Sequence, residues 1–394
     1  MERFQVILNQ FSIIASFQGI FLALALFFLK KGDPFSNKIL GTLLFALSWS
    51  GFYYTLDMMG KFMDYPYIAY TNFITDFVYN PLIYFYCLSL TKPNFRINWK
   101  MMLHFFPALL MVFYYFNFFI APVDKKLEIM QSGYNYFPSD VAAFSYATLF
   151  QGLIYLVLSA SQLHKYGKRI KHFFSAIEKR NFNWIKIILI FNLIAAVFCF
   201  FLYRTHWYIF GQSVAIFSAI LIYFIGYAML SAPPHMPVAT LALEAGDMDT
   251  GSPGSEIKIV SEEDQKYVRS GLSPEKSKKI ALTITDFMAA KKPYLEPDLN
   301  LKQFADDLHL PVHHLSQVIN QQFNKNFYDY INSYRVAEIK SRLADNKYDH
   351  LTLLAIAFEC GFNSKATFNN VFKKSTGRSP SEFKKDLTAA KEMA

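Results

Sequence analysis

Seven apolar runs, each near the length that crosses a lipid bilayer, fill the first 230 residues of this 394-residue chain. They lie at about 7–29, 39–59, 67–90, 101–121, 140–163, 184–203 and 208–230. A helix of roughly 20 apolar residues spans the hydrocarbon layer. A soluble core large enough to hide seven such runs is rare, so the pattern predicts a seven-transmembrane-helix bundle. Composition points the same way: charged residues make up 18% of the chain, against about 25% in soluble domains. The first run is too long for a signal peptide. Lys30 and Lys31 follow it where a small-residue cleavage site would stand, so it is read as a retained helix.

Basic residues in the connecting loops predict the orientation. Lys30, Lys31, Lys38, Lys92, Arg96, Lys100, Lys165, Lys168, Arg169, Lys171, Lys179, Arg180 and Lys186 fall on one side, thirteen in all. Arg3, Lys61, Lys125, Lys126 and Arg204 fall on the other, which makes five. The richer side is expected in the cytoplasm of the cell membrane. An odd number of spans then puts the N-terminus outside and everything after residue 230 inside. A net charge of +9 fits an anionic partner, either nucleic acid or a lipid headgroup surface.

Polar residues inside the spans are the candidates for a signal site. Asp76, Asn72 and Asn80 share the third run, beside Pro81. A carboxylate at membrane depth is costly and usually functional. Amides there often only bond neighbouring helices. Gln151, Asn192, Arg204, His206 and Gln212 are weaker candidates. Cys87, Cys199 and Cys360 show no metal or disulfide spacing and read as buried small hydrophobes.

The character changes at 231–270, where Pro233, Pro234, Pro237 and the stretch from Gly246 to Ser255 predict a flexible linker. No phosphate-binding loop, nucleophile elbow or zinc-binding helix motif occurs, which argues against an enzyme and calls for no cofactor or metal.

From 271 to 394 the chain reads as a soluble helical domain, which makes the expected fold all-α. Ser273-Pro274 opens a helix carrying Ile280, Ile284, Phe287 and Met288. Two short helix pairs follow. In one, Asn300 caps a helix with Leu301, Phe304, Ala305 and Leu308; a turn at 309–311 leads to Leu315, Val318 and Ile319. In the other, Leu353, Ile356, Ala357 and Phe358 precede a turn at 361–363, then Phe368, Val371 and Phe372. Aligning Ala305 with Ala357 matches the two pairs, with one extra residue in the second turn. A small Ala lets two helices cross closely, as in helix-turn-helix units. Between the pairs, 327–344 reads as one connecting helix. Ser379-Pro380-Ser381-Glu382 is a capping box that opens a last helix.

Residues from about 285 to 387 resemble the DNA-binding domain of AraC/XylS-family transcription regulators. The resemblance rests on LKQFADDLHLPVHHLSQVIN, YINSYRVAEIKSRL and IAFECGFNSKATFNNVFKKSTGRSPSEFKK. Lys384 departs from the Arg often found there, and both can meet a phosphate. The resemblance implies two reading helices in successive major-groove segments of promoter DNA. The whole layout resembles regulators in which this domain follows a seven-helix membrane region. Facing arguments leave His313, Ser316 and Gln317 outward on the first reading helix, and Lys365, Ala366, Thr367 and Asn370 on the second. These are the expected base contacts. Lys373, Lys374 and Arg378 are expected at phosphates. The expected partners are double-stranded promoter DNA, the lipid bilayer, an unknown small-molecule or membrane signal and, in one arrangement, a second copy as a homodimer. The other reading of the same features is a transporter or channel with a regulatory DNA-binding tail.

Overall fold

The computed structural model describes residues 2–30, 32–92, 94–133, 138–178, 182–205, 207–231 and 272–392. The linker expected at 231–270 lies, Ser231 apart, outside the described residues, as do Lys31, Lys179, Arg180 and His206. The chain is all-α: among the described residues no strand forms, and one isolated antiparallel bridge pairs Phe174 with Asn300. It divides into two compact units. The first comprises Met1–His164 with Phe182–Pro237, the second Lys165–Asn181 with Val238–Ala394.

In the first unit, described helices run in the order α1 (Glu2–Phe28), α2 (Pro34–Met58), α3 (Thr71–Thr91), α4 (Trp99–Met102), α5 (Phe106–Tyr114), α6 (Phe116–Ile120), α7 (Val123–Gly133), α8 (Pro138–Ile170), α9 (Asn183–Thr205) and α10 (Trp207–Ser231). The stretches Arg3–Phe28, Pro34–Met58, Ala143–Ile170, Asn183–Leu202 and Gly211–Met229 are long and apolar enough to cross a membrane. They coincide with five of the seven expected spans. The third expected span is a continuous helix, α3, but Asn72, Thr75, Asp76 and Asn80 dilute its apolar character. The fourth is not one helix. Pro107 lies in the first turn of α5, which opens a new helix, and Tyr115 separates α5 from α6.

Much of the apolar surface of these helices faces outward. Asn183–Leu202 is the most apolar stretch, yet only 22% of it is buried. Phe17, Phe21, Leu24 and Phe28 on α1 all point outward. The contacts between helices instead use small residues: α1 packs on α2 and α10, where a methyl added at Gly19 would overlap Ser48 Oγ.

The second unit contains α11 (Pro274–Lys291), α12 (Leu301–Asp307), α13 (Val312–Phe323), α14 (Phe327–Ala344), α15 (Leu353–Glu359), α16 (Lys365–Thr376) and α17 (Pro380–Glu392). Local chemistry sets each start. Ser273 accepts the Lys276 amide, Asn300 and Gln303 form a capping box, and Asn326, Thr352 and Ser364 each accept an amide three residues on. Ser379 and Glu382 close the expected reciprocal box. Two cores result. The first joins Ile284 and Met288 to Phe304, Ala305, Leu315, Val318 and Ile319. The second joins Ile356, Ala357 and Phe362 to Phe368 and Phe372. The connecting helix α14 enters both, giving Phe327, Tyr330 and Ile331 to one and Val336, Ile339 and Leu343 to the other.

Candidate nucleic-acid interface and polar cavity

The two helix pairs repeat each other bond for bond. Leu308 N donates to Phe304 O at 3.3 Å, His309 N to Asp306 O at 3.0 Å and Leu310 N to Ala305 O at 2.9 Å. Their counterparts are Cys360 N to Ile356 O at 3.0 Å, Gly361 N to Phe358 O at 3.0 Å and Phe362 N to Ala357 O at 3.1 Å. Both turns need a left-handed residue, His309 at φ 53° and Gly361 at φ 90°. The residue types differ because the surroundings differ. His309 is exposed. A Cβ at Gly361 would lie 2.6 Å from Tyr294 O and 2.8 Å from Arg335 Nε. Ala305 and Ala357 are fully buried at the helix crossings.

The packed faces of α13 and α16 are the expected ones. Leu315, Val318, Ile319, Phe368 and Phe372 are buried, and Val371 packs partly against the second core. On the opposite faces, His313, Lys365, Ala366 and Asn370 are exposed, while Ser316 and Thr367 are half-buried. Gln317 differs from the other six in exposure. Helical period turns it outward, yet it is 4% exposed, and its Nε2 donates to Gln321 Oε1 at 3.2 Å. The glutamine one turn on holds its amide along the helix. Among the expected phosphate contacts, Lys373 is exposed. Lys374 is 3.0 Å from Asp329, and Arg378 is paired with Asp386. Both therefore meet a phosphate only by leaving or sharing a carboxylate.

A family model, the helix-turn-helix domain, matches residues 304–386. This stretch is an AraC-type helix-turn-helix domain. It binds double-stranded DNA, and the chain that carries it is a DNA-binding transcription regulator. No curated protein and no solved structure matches the chain.

Two charged nodes brace the helix-turn-helix domain, and sequence reasoning missed both. Arg335, on α14, is 1% exposed. It donates to Tyr294 O and Glu296 O, each at 2.7 Å, and to Ser175 Oγ at 3.1 Å. Burial pushes its guanidinium pKa down to about 10, with Glu178 the leading opposing influence. One turn on, Glu338 accepts from Lys292 and Arg342, both at 3.0 Å, and from the Tyr294 hydroxyl at 3.1 Å. Burial works against the Glu338 charge, but these donors together hold its carboxyl below its ordinary pKa. Burial, helped by Glu338, pushes Tyr294 up to about 12. In the sequence both residues look like ordinary helix charges.

In the first unit, Asp76 and Asn80 line one cavity of about 230 Å³, with Ser50, Tyr54, Tyr79 and Asn192. Ser50 Oγ donates to Asp76 Oδ1 at 2.5 Å, and Tyr79 OH donates to Asn192 Oδ1 at 2.9 Å. Asn80 Nδ2 reaches Gln151 Oε1 at 3.5 Å. Asn72 is not in the lining. It is buried, its Nδ2 donates to Tyr54 OH at 3.3 Å, and its Oδ1 has no hydrogen-bond partner among the described residues. Cys87, Cys199 and Cys360 are all buried.

Proposed function

We propose that this chain is a membrane-anchored, sequence-specific transcription regulator, a one-component sensor that couples a membrane or external signal to promoter binding. The observation that carries the reading is the coexistence, on one chain, of apolar helices with outward-facing Phe and Leu and of two matched helix-turn-helix units. In this reading α1, α2, α3, the broken α4–α6 stretch, α8, α9 and α10 form seven membrane passes. The N-terminus is outside and the DNA-binding part cytoplasmic.

His313, Lys365, Ala366 and Asn370 face base edges, with Ser316 and Thr367 at the margin. Lysine suits guanine and asparagine suits adenine in the major groove. Lys373, Lys374 and Arg378 meet phosphates. The cavity holding Asp76 and Asn80 is the signal site, with Asn72 supporting it through Tyr54. Its apolar walls, one carboxylate and several amides and hydroxyls suit a small, mostly apolar molecule carrying a hydrogen-bond donor or cationic group.

A topology reporter tests the membrane reading. Fused after residue 265 it should report cytoplasm, and fused near residue 130 it should report the outside. An external signal at residue 265 would separate the DNA-binding part from DNA and contradict the proposal.

A further inference from the structure

The helix-turn-helix unit contains a piece of chain from the middle of the membrane half. Residues 165–181 lie between apolar helices α8 and α9, more than 50 residues before the start of α11, yet they belong to the second unit. Within them, 171–176 is held bond by bond. Lys171 O accepts the Tyr328 amide at 2.9 Å, and Phe173 O accepts the Leu301 amide at 2.9 Å. Those amides sit in the first turns of α14 and α12, where helices leave donors unsatisfied. Ser175 N and Oγ both donate to Leu299 O, at 3.2 and 2.6 Å. Asn332 Nδ2 donates to Ser175 O at 3.2 Å, and Arg335 reaches both Ser175 oxygens, at 3.1 and 3.4 Å. Phe174 is 1% exposed, and Phe173 packs against the first core.

The place where this segment docks is also where the two helix-turn-helix units meet. Arg335 binds Ser175 on one side. On the other, its Nε lies where a Cβ of Gly361 would intrude, and its guanidinium lies 5.8 Å from the Phe362 ring centre. Asn363 of the second turn donates to Asp298, beside Leu299. Removing the segment would leave the Leu301 and Tyr328 amides, the Asn332 amide and part of a buried guanidinium without these partners. A buried donor without a partner is costly. The segment leaves His313, Lys365 and Asn370 exposed, so it braces the unit without blocking its reading faces.

We propose that residues 171–176 are a coupling strap. Docked, the strap fixes the setting of the two helix-turn-helix units relative to each other, and with it the ability to read two DNA elements at once. Helix α8 ends at Ile170, directly before Lys171. A shift at its end is therefore carried along the backbone to Ser175 and through its hydrogen bonds to Arg335. The proposal rests on the reading of the second unit as DNA-binding.

The test uses the full chain in lipid nanodiscs, with Phe174→Asp to undock the strap and Ser175→Ala to remove only its hydroxyl bonds. Binding is measured to a duplex carrying both DNA elements and to one carrying a single element. Hydrogen exchange is followed at the Leu301 and Tyr328 amides. Phe174→Asp should weaken two-element binding at least ten-fold and single-element binding less than two-fold. Ser175→Ala should show a smaller loss of the same kind. Both amides should be protected in the unsubstituted chain and exchange faster in Phe174→Asp. Equal weakening on both duplexes, unchanged binding, or amides that exchange freely in the unsubstituted chain would overturn the strap. Failure of the unsubstituted chain to bind either duplex would instead remove the DNA-binding reading beneath it.

Discussion

At Gly361 three constraints meet: a left-handed backbone, a carbonyl at 2.6 Å from any added Cβ and the Arg335 guanidinium at 2.8 Å. Gly361→Ala should therefore cost about 2–3 kcal/mol of stability, from strain and overpacking together. Denaturant unfolding of the full chain, followed by a probe in the second unit, measures it. Its counterpart His309 is exposed, and His309→Gly should be neutral or mildly stabilising in the same assay. Glu338 gives a pH signature. Its folded carboxyl titrates below the ordinary value of 4.5, so its contribution is present above that pH and is lost as pH falls through the folded value. Glu338→Gln should lower stability at neutral pH and flatten the loss that sets in as pH falls below the ordinary carboxyl value of 4.5; an unchanged acid limb would remove Glu338 as its source. At this scale the sequence revealed the turn residues and the caps, because those act over three or four positions. It hid Arg335, Glu338 and the burial of Gln317, because their partners or surroundings come from the folded arrangement.

At the scale of elements, α14 has 18 residues and so runs about 27 Å, and it is anchored in both cores. It sets the spacing between α13 and α16, the two helices proposed to read bases. Reading and anchoring should separate on α16. Lys365 stands at its exposed N-terminal end and Lys373 in its last turn. Lys365→Ala should relax base preference at one or two positions of the site. Lys373→Ala should weaken all sequences alike and reduce the salt slope by about one unit. Selection from a randomised duplex library at two salt concentrations reads both effects, and a changed preference in Lys373→Ala would reverse the assignment. The helix boundaries of the second unit were legible in the sequence because Ser, Asn, Pro and Gly stand at their ends and apolar residues recur at helical spacing. The break at 101–121 was legible only in part. Its composition is that of a membrane span, and Pro107 alone hinted that the helix would restart.

In the whole molecule, a segment between two apolar helices, residues 165–181, belongs to the unit that carries the helix-turn-helix domain, which the linear order of the chain conceals. The sequence separates the halves at residue 231, where apolar runs give way to Pro and Gly. Nothing in it marks 171–176 as part of the second half. Lys171 and Phe173 look like ordinary loop residues, and the bonds that hold Ser175 reach partners more than 120 residues away. The central claim is that one chain, while embedded in a bilayer, reads a specific DNA sequence with two helix-turn-helix units. The direct measurement is selection of bound duplexes from a randomised library by the full chain in nanodiscs. The expected result is enrichment of sequences with two elements centred about 10 base pairs apart, one for each helix-turn-helix unit. Recovery of duplexes with no common sequence, or of none above empty nanodiscs, would contradict it.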